Sequence, residues 1–460
     1  MSLNTKKQQN KKPRVKLLLV FLVFAVHISH IKSQNLKEVK YAEALQILKK
    51  TEVPKRIPVI AILDAPIQLE LFDENIIWKN SEEIPGNEID DDKNGYIDDV
   101  FGWNFSDHSN DVTNKNFGNW HGTPVFSIIK SFLHQKLAKQ RLVKVMSLVK
   151  GNSIQEIEES LAYILEMRKR YNETNGKEGA FIVAVNCSWG KNGLWNYNNK
   201  QWCSYYDLLG EQGVLVVSSV PNEDVNVDQI GDMPSTCLSD FLLTVTNIHN
   251  ESSGLEYAAF GEESVDIAAP GERSFTLLNS GDFGFFDGTS AAAPYVTSAI
   301  GLMYQMYFED FDNDIQENPK KVALSIKDFI LKGIDKIDFL QDKTTSGGSL
   351  NMYNSIKLFY DYYNKESKMD QITLDFVSLY PNPSDDYVHA LVESNIEEEA
   401  YLNIFDLHGR RIRREKFQLK TGVYSYEFYD VIFQLTRNIY MITIDTASGR
   451  FSKSVKFIKK

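Results

Sequence analysis

Ser290 stands in the run Gly-Thr-Ser-Ala-Ala-Ala-Pro, residues 288–294, directly before an apolar stretch that predicts a helix. A hydroxyl at a helix N-terminus lies beside free backbone N–H groups and the positive end of the helix dipole. Such groups stabilise the oxyanion that forms when a hydroxyl attacks a carbonyl. Small neighbours admit a substrate backbone, and Pro294 suits the first turn of a helix. The run predicts a nucleophilic serine, with a helix-capping serine as the alternative.

A serine nucleophile needs a base to take its proton, and the base needs an acid to orient it. His121 lies in Trp-His-Gly-Thr-Pro-Val and opens a second apolar stretch. Asp64 ends residues 59–63, a run typical of a buried parallel strand. Sites of open α/β sheets lie at such strand ends. Taken singly, Asp64 also fits a turn residue and His121 a helix cap, but together with Ser290 they indicate a catalytic triad.

The chain resembles the subtilisin-like serine peptidases over roughly residues 57–360. Subtilisin carries its triad in the same order, Asp, His, Ser. The resemblance is carried by Val-Ile-Ala-Ile-Leu-Asp (59–64), His-Gly-Thr (121–123), Asn-Cys-Ser-Trp-Gly (186–190), Asp-Ile-Ala-Ala-Pro-Gly (266–271) and residues 288–294. It implies that Ser290 is the nucleophile, His121 the general base and acid, and Asp64 the group that fixes the imidazole. The implied fold is α/β, a three-layer sandwich on a mostly parallel sheet.

The same resemblance implies further site residues. Asn222 follows the apolar run 214–221, where family members carry an asparagine whose side chain, with the Ser290 N–H, holds the oxyanion. An ordinary turn residue is the alternative. Ser188, Trp189 and Gly190 match the stretch that, in this family, pairs with the substrate backbone and forms one wall of the S1 pocket. We therefore expect polypeptide substrates and chemistry that requires no cofactor.

Three prolines depart from the family pattern. Pro66 replaces the glycine of Asp-Thr-Gly or Asp-Ser-Gly, Pro124 replaces a second histidine, and Pro221 replaces the glycine before the oxyanion asparagine. Proline fixes φ and donates no backbone hydrogen bond. An unusual specificity, weakened catalysis, or an inactive pseudopeptidase that binds polypeptide therefore stays open beside an ordinary active endopeptidase. A non-peptidase serine hydrolase is disfavoured because Ser290 lies outside a Gly-x-Ser-x-Gly elbow.

An acidic segment lies between the Asp64 and His121 motifs. Its residues match positions 1, 3, 5, 6 and 9 of a calcium loop, namely Asp90, Asp92, Asn94, Gly95 and Asp98. Position 12 of that loop is a bidentate Glu, and here it is Phe101. Two interpretations stay open: a structural calcium ion, or a solvated acidic insertion.

The N-terminus predicts export. Residues 1–16 are basic, and the ten apolar residues 17–26 are too short to span a bilayer comfortably. We expect a signal peptide over 1–33, with an uncleaved anchor as the alternative, and no transmembrane segment after cleavage. The net charge of −12, which becomes more negative without this segment, argues against nucleic-acid binding.

The remaining sequence predicts four parts. These are a short segment 34–56, a peptidase domain 57–357, a linker 358–374 and a small all-β sandwich domain 375–460. Residues 380–383 and 405–410, with a final strand ending in lysine, resemble the C-terminal sorting domain of type IX secretion cargo. This implies type IX secretion machinery as a partner and a secreted or surface location in a Gram-negative bacterium. A generic accessory or carbohydrate-binding sandwich is the alternative.

Three cysteines cannot all pair within one chain. Cys187 lies in an apolar run and is predicted to be a small core residue. A disulfide between Cys203 and Cys237 is compatible with an oxidising compartment, although the sequence does not fix its geometry.

Overall fold

The structure is a computed structural model that describes residues 39–113, 121–134, 141–249, 254–255, 257–364, 374–380, 382–447 and 452–460. The predicted signal peptide 1–33 lies outside these residues. The chain divides into two compact units, residues 1–363 and 364–460. Among the helices of the described part, none combines the length and apolar character needed to cross a membrane.

Helices and strands are interspersed along the first unit. Its helices are α1 (Tyr41–Leu48), α2 (Gly122–Leu133), α3 (Ile154–Glu173), α4 (Lys200–Glu211), α5 (Val227–Ile230), α6 (Thr289–Tyr304), α7 (Glu309–Glu317), α8 (Pro319–Lys332) and α9 (Met352–Tyr363). Its strands are β1 (Val59–Asp64), β2 (Lys144–Val149), β3 (Ile182–Cys187), β4 (Lys191–Asn192), β5 (Leu215–Ser219), β6 (Asp232–Met233), β7 (Leu242–Ile248), β8 (Ile267–Pro270), β9 (Ser274–Leu277), β10 (Phe283–Phe286), β11 (Asp335–Lys336) and β12 (Gly348–Ser349). Short 3₁₀ helices span Leu69–Leu71, Glu74–Ile76, Asn196–Asn198 and Asp338–Leu340.

Within the described residues, eight strands form the central sheet in the order β11-β12-β8-β7-β5-β3-β1-β2. All neighbours pair in parallel except β11 with β12. Each residue of β1, β3, β5 and β7 is buried. Their burial is continuous because helices cover both faces of the sheet.

The two faces of β1 enter different hydrophobic clusters. Ile60 and Ile62 pack with residues of α2 and α6. Ala61 and Leu63 pack on the other face with residues of α3 and α4. The first unit is therefore a three-layer α/β sandwich, which confirms the predicted fold class.

Helix α6 lies inside the core, and each of its residues is buried. Pro294 lies inside this helix, as its sixth residue, so the expectation that it occupies the first turn is wrong. A proline at this position cannot donate to the carbonyl of Ser290, four residues earlier.

Helix α9 corrects the predicted linker. The linker was placed over 358–374, yet α9 continues to Tyr363, and both Phe359 and Tyr363 are buried in the main core. The apolar positions Ile356, Phe359 and Tyr363 recur at helical spacing and bury one face of α9. Residues 365–373 lie outside the described part.

In its described residues, the second unit is all-β apart from one helical turn. Its strands are β13 (Leu374–Tyr380), β14 (Val388–Ser394), β15 (Glu399–Phe405), β16 (Arg411–Gln418), β17 (Gly422–Phe428), β18 (Asn438–Thr446) and β19 (Ser452–Lys459), and its helix is α10 (Asp430–Phe433). The strands form two antiparallel sheets in the orders β13-β14-β17 and β16-β15-β18-β19. Side chains of both sheets share one core, including Val388, Val392, Leu402 and Ile442. This confirms the predicted small sandwich.

Two of the three cysteines form a disulfide, and the third is a free thiol. Cys203 on α4 forms a disulfide with Cys237, which follows β6. Cys187 is buried and free, as its apolar run predicts.

Candidate active site

Asp64 and His121 meet at the carboxyl edge of the sheet. Asp64 is the last residue of β1 and is 2% exposed, and His121 directly precedes α2. The His121 Nδ1 lies 2.6 Å from Asp64 Oδ1. An ionised carboxylate only accepts, so Nδ1 donates and Nε2 of the neutral ring is left as a proton acceptor. The pair has the geometry of an oriented general base.

The charges around the imidazole set its pKa. Burial lowers the pKa of His121, but the charge and hydrogen bond of Asp64 outweigh it, so the net pKa lies above its usual value. Lys150, the residue after β2, opposes this rise. Its Nζ lies 5.3 Å from the centre of the Trp189 ring, and burial lowers the pKa of Lys150 itself.

Ser290 is the second residue of α6 and is 7% exposed. Its Oγ donates to the carbonyl of Ser188 at 2.9 Å. In return, Ser188 Oγ donates to the carbonyl of Ser290, also at 2.9 Å. This second bond satisfies the carbonyl that Pro294 leaves without a helical donor. The two serines therefore hold each other in place.

A buried chain of hydrogen bonds orients Ser188. Thr297 Oγ1 donates to Asn186 Oδ1 at 2.9 Å, and Asn186 Nδ2 donates to Ser188 Oγ at 2.9 Å. Asn186 lies on β3 and Thr297 on α6. Sequence reasoning missed both as positioning residues. Buried polar side chains in two mainly apolar elements were the available signal.

Asn222 is exposed beside the start of α6. Its Oδ1 accepts from the backbone N–H of Thr289 at 2.8 Å. The two hydrogens on Nδ2 take no part in that hydrogen bond. A Cβ on Gly288 would lie 2.6 Å from this Oδ1, so glycine permits the close approach. Thr289 Oγ1 also donates to the carbonyl of Val220 at 2.6 Å. Thr289 is a third positioning residue that the sequence did not reveal.

The predicted S1 wall follows β3. Trp189 Nε1 donates to the carbonyl of Leu63 at 2.6 Å, which ties the wall to the strand that carries Asp64. Ser218 at the end of β5 donates to the carbonyl of Trp189 at 3.4 Å. Ser188, Trp189 and Gly190 are thus held at the same sheet edge as the Asp64–His121 pair.

A cavity of about 630 Å³ opens beside Asn222 and Gly288. Arg273, Phe285 and Tyr257 contribute to its lining, and the Arg273 guanidinium lies 4.7 Å from the centre of the Phe285 ring. The cavity is large enough to take side chains of a ligand next to the Ser290 end of α6.

The three prolines leave the Asp64–His121 pair in place. The backbone N–H of Ala65 donates to Asp64 Oδ1 at 2.7 Å, while Oδ2 is buried without a hydrogen-bond partner in the described part. Pro124 falls in the first turn of α2, where a helix needs no donor. The carbonyl of Pro221 accepts from Ala259 at 2.9 Å.

The acidic segment forms a hydrogen-bonded loop. Carboxylate oxygens of Glu83, Asp90 and Asp92 lie within 4.8 Å of one another; the sequence had not indicated Glu83. Asn94 Nδ2 donates to Asp92 Oδ2 at 3.1 Å. The fourth predicted ligand, Asp98, lies outside this group, because its carboxylate accepts from three backbone N–H groups, those of Gly86, Asn87 and Glu88.

Comparison with known families places the chain. The model of the subtilase family matches residues 55–347. The chain belongs to the subtilase family. The model of the secretion system C-terminal sorting domain matches residues 378–460, so the recognition of a type IX sorting domain is confirmed as well. A sorting domain of this kind indicates a secreted or cell-surface protein.

The similar proteins are distant. Subtilisin-like protease 1 of Plasmodium berghei (strain Anka) is 22% identical over 326 residues, which cover 65% of this chain and 49% of that protein. One subunit of the subtilase cytotoxin of Escherichia coli is 32% identical over 152 residues, 33% of this chain and 40% of that protein. The chain thus spans half or less of these relatives. A solved chain from the subtilase cytotoxin SubAB assembly has a TM-score of 0.51 at 17% identity, covering 73% of this chain and 99% of that one; this likeness supports the fold.

Proposed function

We propose that the protein is a secreted serine endopeptidase that hydrolyses peptide bonds of polypeptides with Asp64, His121 and Ser290. The 2.6 Å contact between Asp64 and His121 carries this proposal. It joins two residues that are 57 positions apart at the sheet edge where α6 begins.

The reaction follows from the hydrogen bonds of the site. A substrate in extended form donates its backbone N–H to the carbonyl of Ser188, which frees the Ser290 hydroxyl to turn to His121 Nε2. Ser290 Oγ attacks the scissile carbonyl carbon as its proton moves to His121, and Asp64 stabilises the imidazolium. Asn222 Nδ2 and the Ser290 N–H hold the oxyanion. His121 then protonates the leaving amine, and a water activated by His121 releases the acyl group.

A fluorophosphonate probe tests the proposal because it reports an activated serine without a known substrate. The wild-type protein should label, and Ser290→Ala and His121→Ala should not, since the triad acts as a unit. Ser298→Ala is the matched control, because Ser298 is a buried serine of the same helix that donates to the carbonyl of Pro294. A folded wild-type protein that does not label would favour the pseudopeptidase.

The oxyanion role has its own signature. Asn222→Ala should lower kcat on the order of 10²–10³-fold. KM should change little, because the contact is made mainly in the transition state. A raised KM with unchanged kcat would contradict the assignment and make Asn222 a substrate-binding residue.

We also propose that the acidic loop binds a structural calcium ion through Glu83, Asp90 and Asp92, outside the chemistry. Three carboxylates at this spacing repel one another. Among the described ion pairs Arg170 reaches Asp92 alone of the three, at 3.9 Å, and oxygen ligands are those that calcium prefers. Calcium should raise the melting temperature of the wild type but not of Asp92→Ala. Glu88→Gln is the control, since Glu88 is exposed and lies outside the group. Equal melting with calcium and with chelator would leave a solvated loop.

For the second unit we propose recognition by the type IX machinery of a Gram-negative bacterium. The match of residues 378–460 to the sorting-domain model supports this. An accessory or carbohydrate-binding sandwich is the alternative, and export of a reporter fused to residues 375–460 separates the two.

A further inference from the structure

Asp232 is a buried carboxylate that the proposed mechanism does not use. It has no exposed surface, and its Oδ2 accepts from the hydroxyl of Ser235. Its Oδ1 is buried with no hydrogen-bond partner among the residues that the structure describes. Burial raises the pKa of Asp232 to about 7. An ionised carboxylate in such a place is unfavourable unless a cation or a donor reaches it.

The position of Asp232 connects it to the predicted S1 wall. It opens β6, which pairs antiparallel with β4 directly after Gly190. A Cβ on Gly190 would lie 2.9 Å from Asp232 Oδ1, so the carboxylate packs against the bare Cα of that wall residue. Gly190 is two residues from Ser188, so the two lie at most about 7 Å apart along the chain. The carbonyl of Ser188 accepts the hydrogen bond of the Ser290 hydroxyl.

Several contacts hold the segment that carries Asp232. Thr236 Oγ1 donates to the carbonyl of Asp232 at 2.9 Å, and Gly193 N–H donates to the carbonyl of Gly231 at 2.9 Å. Five residues after Asp232, Cys237 is joined to Cys203 on α4. The carboxylate is therefore fixed in position before any ligand arrives, which lowers the entropy cost of binding one.

The neighbouring cations do not neutralise Asp232. Within the described part, none of the ion pairs includes it. Lys191, which faces Met233 across β4 and β6, directs its Nζ to the carbonyl of Asn152 at 2.7 Å. Asp232 therefore has no neutralising cation among the residues that the structure describes.

We propose that Asp232 is the specificity-determining residue of the S1 pocket and selects substrates with Lys or Arg immediately before the scissile bond. This inference rests on the proposed function. A long cationic side chain can extend from the Ser290 end of the wall past Gly190 and donate to Oδ1, and such charge-assisted hydrogen bonds are strong. An apolar side chain would instead bury the carboxylate unpaired.

Matched fluorogenic peptides that differ only in the residue before the scissile bond test the preference. Arginine is compared with its neutral isostere citrulline, and lysine with norleucine. The wild type should prefer arginine to citrulline on the order of 10²-fold in kcat/KM. In Asp232→Asn this ratio should fall to near one while fluorophosphonate labelling persists. Asp240→Asn removes an exposed carboxylate of the same segment and should keep the wild-type ratio.

A binding measurement separates this inference from the proposed function. Fluorescent p-aminobenzamidine, a cation that needs no catalysis, should bind the wild type and Asp240→Asn but not Asp232→Asn. Binding without fluorophosphonate labelling would reject the peptidase and retain the cation pocket. A wild type that labels yet cleaves after apolar residues and ignores p-aminobenzamidine would overturn the role of Asp232, and this result does not depend on the folding of any variant.

Discussion

Gly122→Ala tests whether the register between α2 and β1 sets the active-site geometry. Gly122 directly follows His121. A Cβ at this position would lie 2.1 Å from the carbonyl oxygen of Ala65 and 2.8 Å from that of Pro66. Both atoms belong to the backbone that follows Asp64, so no side-chain rotation relieves the contact. The two segments must separate by at least about 1 Å to reach a normal contact distance.

The separation falls on the contact that carries the proposed function. The His121–Asp64 distance is 2.6 Å, and an opening of about 1 Å would take it beyond hydrogen-bond range. A misplacement of this size costs on the order of 10²-fold in rate. Overpacking of this kind also lowers the free energy of unfolding by about 1–3 kcal/mol. We expect the variant to fold, melt earlier and lose at least about 10²-fold in kcat/KM.

The assay is the rate of fluorophosphonate labelling together with kcat/KM, measured below the melting temperature of the variant. Gly301→Ala is the matched control, because Gly301 is a buried glycine of α6, the helix that carries Ser290. Its Cβ would meet only side-chain tips, the nearest being Leu133 Cδ1 at 2.8 Å, and these can shift. Wild-type labelling by Gly122→Ala would refute the reasoning, since the pair would then tolerate the displacement.

Three further perturbations probe separate parts of the molecule. Lys150 lowers the pKa of His121, so Lys150→Gln should raise that pKa. Because His121 must be neutral to act as base, the acid limb of the pH profile of kcat/KM should move to higher pH. An unmoved limb would contradict this. The disulfide of Cys203 and Cys237 spans 34 residues, and replacing both by Ser should lower the free energy of unfolding by about 4 kcal/mol in urea titrations, whereas an unchanged midpoint would show that the bridge does not form. Deleting 375–460 should leave a purified protein that labels but accumulates in the periplasm, as fractionation would show; lost labelling would make the tail part of the peptidase.

The sequence predicted the frame of the site because its elements have strong local signals. Residues 59–63 are apolar without a break, which indicates a strand covered on both faces, and Asp64 therefore had to lie at its carboxyl edge. His121 and Ser290 each precede an apolar stretch of helical length. Since parallel strands place their carboxyl ends along one edge, the meeting of Asp64 with His121 followed from topology.

Contacts between distant segments had no such signal. Glu83 lies outside the spacing of a calcium loop, so its approach to Asp90 and Asp92 depends on how the preceding turn folds back. Asp232 stands in Gly-Asp-Met-Pro, a combination typical of an exposed turn. Its complete burial follows from the packing of that segment against Gly190, which no periodicity encodes.

Pro294 shows how a local sequence signal can miss the structural consequence of a residue. Its ring fits the start of a helix, but in the structure it is the sixth residue of α6. Because proline has no N–H, the carbonyl of Ser290 has no hydrogen-bond donor within the helix. The hydroxyl of Ser188 fills that place from 102 residues away. The carbonyl of Ser188 also accepts a hydrogen bond from the Ser290 hydroxyl. The irregularity of α6 at Pro294 therefore couples the proposed nucleophile to the end of β3, which is proposed to bind substrate. The proline thus makes Ser188 a structural requirement of the proposed nucleophile as well as a proposed substrate contact.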